Sequence, residues 1–215
     1  MSLKNKRSSV KKSVSFSDDN TLTRNNLKKH VDHDNPPVYV RRTTLTVPWH
    51  IFALLYYYIY ISNSYDTVAL LYLLIPLQIT YLVFQFNKST VYGKKLLKIK
   101  LPLVLISLCA TLLLTIPTTV IIILFGAPLI EKLFETWLLS LHLCFLAYPA
   151  VYQVFNGDFK VGLWKRYFVM IVVGAWTSCI VIPLDWDRYW QTWPIPVVVG
   201  GYLGALVGYS IGAFI

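Results

Sequence analysis

The chain has 215 residues, of which 56% are apolar and only 14% are charged, and its mean hydropathy is +0.55. Soluble domains carry about 25% charged and about 45–50% apolar residues, so this composition excludes an ordinary soluble domain. Fourteen of the 30 acidic and basic side chains lie before residue 43, which leaves the rest of the chain still more apolar. The sequence therefore predicts an integral membrane protein with one soluble tail.

Residues 1–46 form the predicted tail. Lys, Arg, Ser, Asn and Asp dominate this segment, and large apolar side chains are few. Such a composition cannot bury enough surface to offset the entropy of ordering the chain. We therefore expect residues 1–46 to be a disordered basic arm and residues 47–215 to be the membrane domain.

Six apolar segments follow the tail, each near the roughly 20 residues that cross a bilayer and each without Asp, Glu, Lys or Arg in its interior. This pattern predicts an all-α, polytopic membrane protein with six transmembrane helices. Pro76, Pro117 and Pro149 lie inside segments, where the loss of a backbone hydrogen bond permits a kink. The predicted spans cover residues 47–64, 67–86, 101–125, 137–155, 167–184 and 195–215.

The distribution of basic residues predicts the orientation of these spans. The tail, residues 87–100 and residues 156–166 would share one side of the membrane, and they hold 18 of the 20 basic residues. The opposite side has only Lys132 and Arg188, together with half of the acids. Because Lys and Arg favour the cytosolic side, both termini are expected in the cytosol. The net charge of +10 is thus a topology signal, and no nucleic-acid partner is expected.

The predicted spans contain few strongly polar side chains, among them His50, Gln78, Gln85, His142 and Gln153, and no charged ones. Coupled transporters and proton relays normally place charged side chains within the membrane, so their absence disfavours coupled transport. We expect the two histidines to have a hydrogen-bonded structural role rather than to ligate a metal or catalyse a reaction.

Glycines recur every four residues in the last span, at Gly200, Gly204, Gly208 and Gly212. In a helix this spacing places them along one ridge, which lets another backbone approach closely. The pattern predicts a tight helix–helix seam, whose partner could lie within this chain or in another subunit.

The densest polar and aromatic segment outside the tail joins the fifth and sixth spans. Its tryptophans suit an interfacial aromatic belt, and the segment could be a structured turn, a lumenal docking surface or a lipid-headgroup surface. Asp185 and Asp187 could form an acid–base pair or hold a metal, but no third ligand, histidine or nucleophile accompanies them. We therefore expect no catalytic residue, metal or cofactor. The candidate contact residues are Asp185, Trp186, Asp187, Arg188, Trp190, Gln191, Trp193 and Pro194.

The motif Pro-Leu-Asp-Trp-Asp-Arg-x-Trp-Gln-x-Trp-Pro at residues 183–194 is followed by Gly-Gly-Tyr-Leu-Gly-Ala-Leu-Val-Gly-Tyr at residues 200–209. Together they resemble the PIG-F family, which acts in the biosynthesis of glycosylphosphatidylinositol (GPI) anchors. The resemblance extends along the whole chain. Six further segments resemble the budding-yeast type of the family: residues 13–19, 31–34, 36–40, 125–128, 135–142 and 147–152.

The resemblance implies a non-catalytic, multi-pass subunit of the endoplasmic reticulum membrane. It would bind and stabilise two large GPI ethanolamine-phosphate transferases, of the PIG-O type and the PIG-G type, in separate complexes. In the family, those partners carry the lumenal, metal-dependent domain that transfers ethanolamine phosphate from phosphatidylethanolamine to GPI mannoses. Contact with the transferase through the sixth span is one hypothesis. The alternatives are a flippase-like or lipid-presenting protein of the same pathway, and an enzyme that uses Asp185 and Asp187.

Overall fold

Apolar helices make up most of the chain in the computed structural model, and they coincide with the six apolar runs of the sequence. We number the helices α1 to α7 because the fourth run forms two of them. They are α1 (Trp49–Tyr56, continued by a π-helical stretch Tyr57–Ile61), α2 (Thr67–Lys88), α3 (Leu101–Leu124), α4 (Leu133–Leu146), α5 (Tyr148–Phe155), α6 (Leu163–Ser178, continued by a 3₁₀ turn Cys179–Val181) and α7 (Ile195–Gly212).

The structure describes residues 38–40, 44, 46–62, 64–88, 90–92, 95–96, 98–156, 163–184 and 186–212. All of them lie in one compact unit, Pro37–Ile215. Most of the predicted tail lies outside the described residues, so its disorder stays a prediction.

Three short strands form a small antiparallel sheet, β1 (Val38–Val40), β2 (Thr90–Tyr92) and β3 (Lys95–Leu96), in the order β1-β2-β3. Val38 pairs with Tyr92 and Val40 with Thr90, so the end of the predicted tail is joined to the segment that follows α2. β-Branched and aromatic residues favour such pairing. The composition of residues 1–46 predicted a disordered arm, whereas residues 38–40 form β1. Composition did not predict this strand because the residues that pair with it are about 50 positions away in the sequence.

Two helices begin one turn before the apolar spans predicted from the sequence. α4 begins at Leu133 and α6 at Leu163, whereas the spans were predicted from residues 137 and 167. The added turns carry Glu135 and, in α6, Lys165 and Arg166. Hydropathy marks only the apolar part of a helix, while the backbone hydrogen bonds continue into the polar segment beside it.

The fourth apolar run is broken at Ala147 into α4 and α5, whose axes differ by 53°. Pro149 occupies the first turn of α5, and its missing N–H removes one bond of a continuous helix. Pro76 and Pro117, by contrast, lie inside the unbroken helices α2 and α3. One of the three prolines thus coincides with a sharp bend.

Helix α3 shows how the bundle distributes its side chains. Its buried face consists of Val104, Ser107, Thr111 and Thr115, at helical spacing, while its large apolar side chains, including Leu113 and Ile116, are exposed. The hydroxyl of Thr111 donates to the Ser107 carbonyl at 2.8 Å, within the same helix. Small residues inside and large apolar residues outside are typical of a helix that faces lipid.

By length and composition, the helices Thr67–Gln85 and Leu101–Leu124 can each cross a membrane. The bent pair α4 and α5 would provide a third crossing if it forms one span. Two further apolar helices, Trp49–Ile61 and Ile195–Ile211, are shorter. Within the described residues, the structure is therefore a bundle of apolar helices with two to three candidate membrane spans.

Candidate functional site

The break between α4 and α5 is the centre of a buried polar network. Leu146, the last residue of α4, presents its carbonyl to two donors from other helices: Gln78 Nε2 at 3.0 Å and the hydroxyl of Tyr209. His50 Nε2 lies 2.7 Å from Gln78 Oε1. Because that amide oxygen can only accept, the imidazole N–H donates. The network thus connects α1, α2 and α7 to the end of α4.

His142 forms a second buried junction and is fully buried itself. Its Nε2 lies 3.0 Å from the Thr67 carbonyl, and its Nδ1 lies 2.9 Å from the Tyr202 hydroxyl. Since a carbonyl can only accept, Nε2 carries the proton, and Nδ1 of the neutral ring accepts from the tyrosine. This side chain therefore connects α4 to the start of α2 and to α7. Both histidines are hydrogen-bonded, as a structural role requires.

The loop between α6 and α7 is organised around Gln191, which is only 8% exposed. Its Nε2 donates to the carbonyls of Val181 at 2.9 Å and Leu184 at 2.7 Å, and its Oε1 accepts from the Arg188 N–H at 3.0 Å. One buried side chain thus satisfies three backbone groups that lie outside regular helices. The loop is therefore a structured turn.

The same loop is attached to two other parts of the bundle. Trp193 Nε1 donates to Thr136 Oγ1 of α4 at 3.1 Å, and the Tyr189 hydroxyl donates to the Ser64 carbonyl at 3.3 Å. The rings of Tyr189 and Tyr65 are 6.1 Å apart. The turn that joins α1 and α2 and the loop that joins α6 and α7 therefore lie side by side.

Left-handed backbone conformations occur in both of these loops. Ser64 and Tyr65 each have a φ of 56°, and Asp187 has a φ of 49°. Residues with a side chain rarely adopt this region, and its strain persists only where the surrounding structure enforces it. The hydrogen bond between Tyr189 and Ser64 is one such constraint.

Four consecutive residues of the α6–α7 loop, 186–189, are all exposed, and we call them the loop surface. Trp186 is 54% exposed and Tyr189 61% exposed, and Asp187 and Arg188 are exposed as well. Pro194 is buried, and Trp193 is half-buried and faces α4. Large exposed aromatic side chains beside an acid and a base are typical of residues that contact a partner or an interface.

The eight candidate contact residues of the sequence thus separate into two groups. Trp186, Asp187 and Arg188 belong to the loop surface, whereas Trp190, Gln191, Trp193 and Pro194 are buried or half-buried and support it. Asp185 lies outside the described residues. Tyr189 was not among the candidates, although its place between Arg188 and Trp190 was a signal for it.

The glycine ridge of α7 lies against α6 of the same chain. A Cβ atom at Gly204 would overlap the Met170 carbonyl, one at Gly200 would overlap Ser178 and the Gly174 carbonyl, and one at Gly208 would lie 2.9 Å from Met170 Cβ. α6 and α7 form the most extensive helix pair of the described structure. Gly212 is the last residue of α7.

The opposite face of α7 carries two buried tyrosines, Tyr202 and Tyr209, which bond to His142 and Leu146. Neither tyrosine was among the residues predicted from the sequence. Their spacing of seven residues, which places both on one helix face, was the available signal. The last helix therefore packs on α6 with its glycines and on α4 with its tyrosines.

The described residues contain no group of three His, Cys, Asp or Glu side chains close enough to hold a metal ion. The polar networks described above consist of neutral side chains and backbone carbonyls. Their geometry supports helix packing and the position of the loop surface.

The apolar bundle, with its lipid-facing side chains outside and its hydrogen bonds inside, defines a helical membrane protein. Comparison with protein families makes this more specific: the family described as GPI biosynthesis protein family Pig-F matches residues 44–213. The chain therefore belongs to this family, which confirms the resemblance noted in the sequence, and its role lies in GPI-anchor biosynthesis.

Curated relatives match the chain along almost its whole length. It is 66% identical to glycosylphosphatidylinositol anchor biosynthesis protein 11 of Saccharomyces cerevisiae, over 99% of this chain and 98% of that protein. It is 61% identical to the protein of the same name from Candida glabrata and 56% identical to that from Kluyveromyces lactis, each over 98% of both chains. No solved structure matches the chain.

Proposed function

We propose that this chain is a non-catalytic subunit of GPI ethanolamine-phosphate transferases in the endoplasmic reticulum membrane. It binds and stabilises a large catalytic subunit, of the PIG-O type in one complex and of the PIG-G type in another. All six apolar segments cross the membrane in this proposal, with α4 and α5 as one bent span and both termini in the cytosol. Membership of the Pig-F family supports the assignment to this pathway.

The charge distribution supports the orientation. Lys98, Lys100, Lys165 and Arg166 lie at the ends of helices that would face the cytosol, and the loop surface lies at the other end of α6. The lumenal side would then carry five acids and two bases. The loop surface would lie on the side where ethanolamine phosphate is transferred.

The observation that carries the proposed partner role is the loop surface itself. Gln191 and Trp193 hold the loop from its buried side, which leaves the aromatic and charged groups of Trp186, Arg188 and Tyr189 outside. A preorganised surface of this kind binds a protein without first paying the entropy of ordering a loop. The glycine ridge, by contrast, is covered by α6, so we locate the contact with the transferase at the loop surface.

Co-purification of the full-length chain with each large transferase subunit, co-expressed in the same membranes, tests this proposal. Trp186→Ala and Arg188→Glu should each lower the recovered partner about tenfold, because aromatic and Arg side chains dominate binding energy at interfaces. Trp176→Ala is the matched control: this tryptophan is 68% exposed on α6, outside the loop surface, and its loss should leave recovery unchanged.

Three outcomes would overturn the proposal. Full recovery of both transferases with the double variant Trp186→Ala/Arg188→Glu would exclude the loop surface as the contact. Transfer of ethanolamine phosphate by the purified chain alone would exclude a non-catalytic subunit. If no large subunit co-purifies and the purified chain instead moves lipid between leaflets of a vesicle, the lipid-handling alternative replaces the proposal.

A further inference from the structure

A second polar cluster lies where α2, α5 and α6 meet. It borders the Leu146 network, because the rings of Tyr167 and Tyr209 are 4.6 Å apart. Its members are Gln85, Gln153 and Tyr167, and each side chain is only 1% exposed. The Tyr167 hydroxyl lies next to the amides of Gln153 and Gln85. Three uncharged, strongly polar side chains from three helices are thus buried side by side.

The hydrogen bonds of this cluster are incomplete within the described part of the chain. Neither Nε2 nor Oε1 of Gln153 has a hydrogen-bond partner there, and the hydroxyl of Tyr167 has none either. The two side chains are close, but their polar atoms do not meet the geometry of a direct hydrogen bond. Buried polar groups are almost always satisfied by protein or by ordered water, because an unpaired group loses its hydration without compensation.

We propose that Gln153 and Tyr167 bind an internal water molecule that bridges α5 and α6. A bridging water needs two to four polar partners, and these side chains offer amide donors, an amide oxygen and a hydroxyl. All three side chains of the cluster are neutral, which matches a neutral ligand rather than an ion. The bridge would attach α6, and with it α7 through the glycine seam, to the rest of the bundle.

The sign of one stability change tests this site. Tyr167→Phe removes only the hydroxyl oxygen from the full-length chain in detergent or lipid nanodiscs. If the hydroxyl binds water, its loss should lower the melting temperature by about 2–4 °C, the shift usual for one such interaction in a chain of this size. If the hydroxyl is buried and dry, its removal relieves an unpaired group, and a raised or unchanged melting temperature overturns the proposal.

Tyr148→Phe is the matched control for this measurement. Tyr148 is also fully buried, and its hydroxyl donates to the Val104 carbonyl at 2.9 Å and accepts from Ser107 Oγ at 3.3 Å. Its loss should lower the melting temperature, which establishes that the assay detects the removal of one buried, hydrogen-bonded hydroxyl. Gln153→Met provides a second variant at the site: combined with Tyr167→Phe it should lower the melting temperature less than the sum of the single effects, because both bind the same molecule. Additive effects would count against a shared water.

A direct bond between the two side chains would give the same melting temperatures, so an experimental density map must complete the test. At a resolution that shows ordered water, a peak should lie within hydrogen-bond distance of Tyr167 Oη and of the Gln153 amide. The peak should disappear in Gln153→Met. Direct contact between the amide and the hydroxyl, with no peak, would overturn the proposal.

Discussion

The seam between α6 and α7 gives the sharpest prediction about stability. We compare Gly204→Ala with Gly201→Ala, two neighbouring positions of α7. Both add one methyl group and both gain about 1 kcal/mol of helix propensity over glycine. They differ in what the new methyl group meets. At Gly204 it would overlap the Met170 carbonyl and lie 3.0 Å from the carbon of that backbone group, whereas at Gly201 it would lie 2.7 Å from Leu143 Cδ2, the end of a flexible side chain.

The magnitude of the difference follows from these two obstacles. A leucine methyl group can move aside by a small rotation that costs about 0.5–1.5 kcal/mol, which offsets the gain in helix propensity, so Gly201→Ala should leave the free energy of unfolding nearly unchanged. The backbone of Met170 can move only if α6 and α7 separate along the seam, and such overpacking costs about 3 kcal/mol at the upper end of its usual range. After the gain in helix propensity, Gly204→Ala should lose about 2 kcal/mol, which lowers the melting temperature by about 4–8 °C.

Thermal unfolding of both purified variants, followed by size-exclusion chromatography of the heated samples, measures this difference. A second readout is a disulfide between cysteines introduced on α6 and α7, which should form more slowly in Gly204→Ala if the helices separate. Equal melting temperatures for the two alanine variants would refute the reasoning, because backbone contact at Gly204 would then have no energetic consequence.

Three further substitutions probe the buried hydrogen bonds. His142→Leu removes both ring hydrogen bonds and leaves a buried tyrosine hydroxyl unpaired, so the free energy of unfolding should fall by about 2–3 kcal/mol in a denaturation assay. Gln191→Leu keeps the size of the side chain but frees three backbone groups, so trypsin should cleave the detergent-solubilised chain after Arg188 faster than in wild type. Trp193→Phe keeps an aromatic ring but loses the bond to Thr136, so the melting temperature should fall by about 2–4 °C.

Contrary results would be equally informative. An unchanged stability of His142→Leu would mean that this histidine does not hold α2, α4 and α7 together. Unchanged cleavage after Arg188 in Gln191→Leu would show that the loop does not depend on its buried amide. If Trp193→Phe lowers the melting temperature equally in the wild-type and in a Thr136→Val background, the hydrogen bond between Trp193 and Thr136 does not account for the loss.

The positions of the helices could be predicted from hydropathy. An apolar run in a membrane must pair its own backbone N–H and C=O groups, and an α-helix does so within the run. Thr67, Leu101 and Ile195 begin both a predicted span and an observed helix. The break at Ala147 could not be placed in this way. Pro149 indicated a weak point, but Pro76 and Pro117 gave the same signal within helices that continue. Pro149 differs from the other two prolines in its surroundings: at the break beside it, donors from distant helices hydrogen-bond to the Leu146 carbonyl.

The candidate residues, too, could be predicted from the sequence only in part. Periodic glycines predicted a seam in α7, but its partner depends on Gly174, a single glycine in α6 that has no pattern around it. The Trp-rich loop was recognisable from its composition, yet the sequence did not separate its supporting residues from its exposed ones. That separation depends on Gln191, whose bonds to Val181 and Leu184 turn one side of the loop inward.

The carbonyl of Leu146 has a consequence for motion in this protein. A bent helix pair is often regarded as a hinge, but here the bend frees an acceptor that two side chains, Gln78 and Tyr209, already occupy. Straightening α4 and α5 would return one lone pair of this carbonyl to the helix, so at least one of the two donors would lose its partner in an apolar interior, at about 1–3 kcal/mol. The two side chains that occupy the carbonyl thus favour the bent form and hold the angle between α4 and α5 in place.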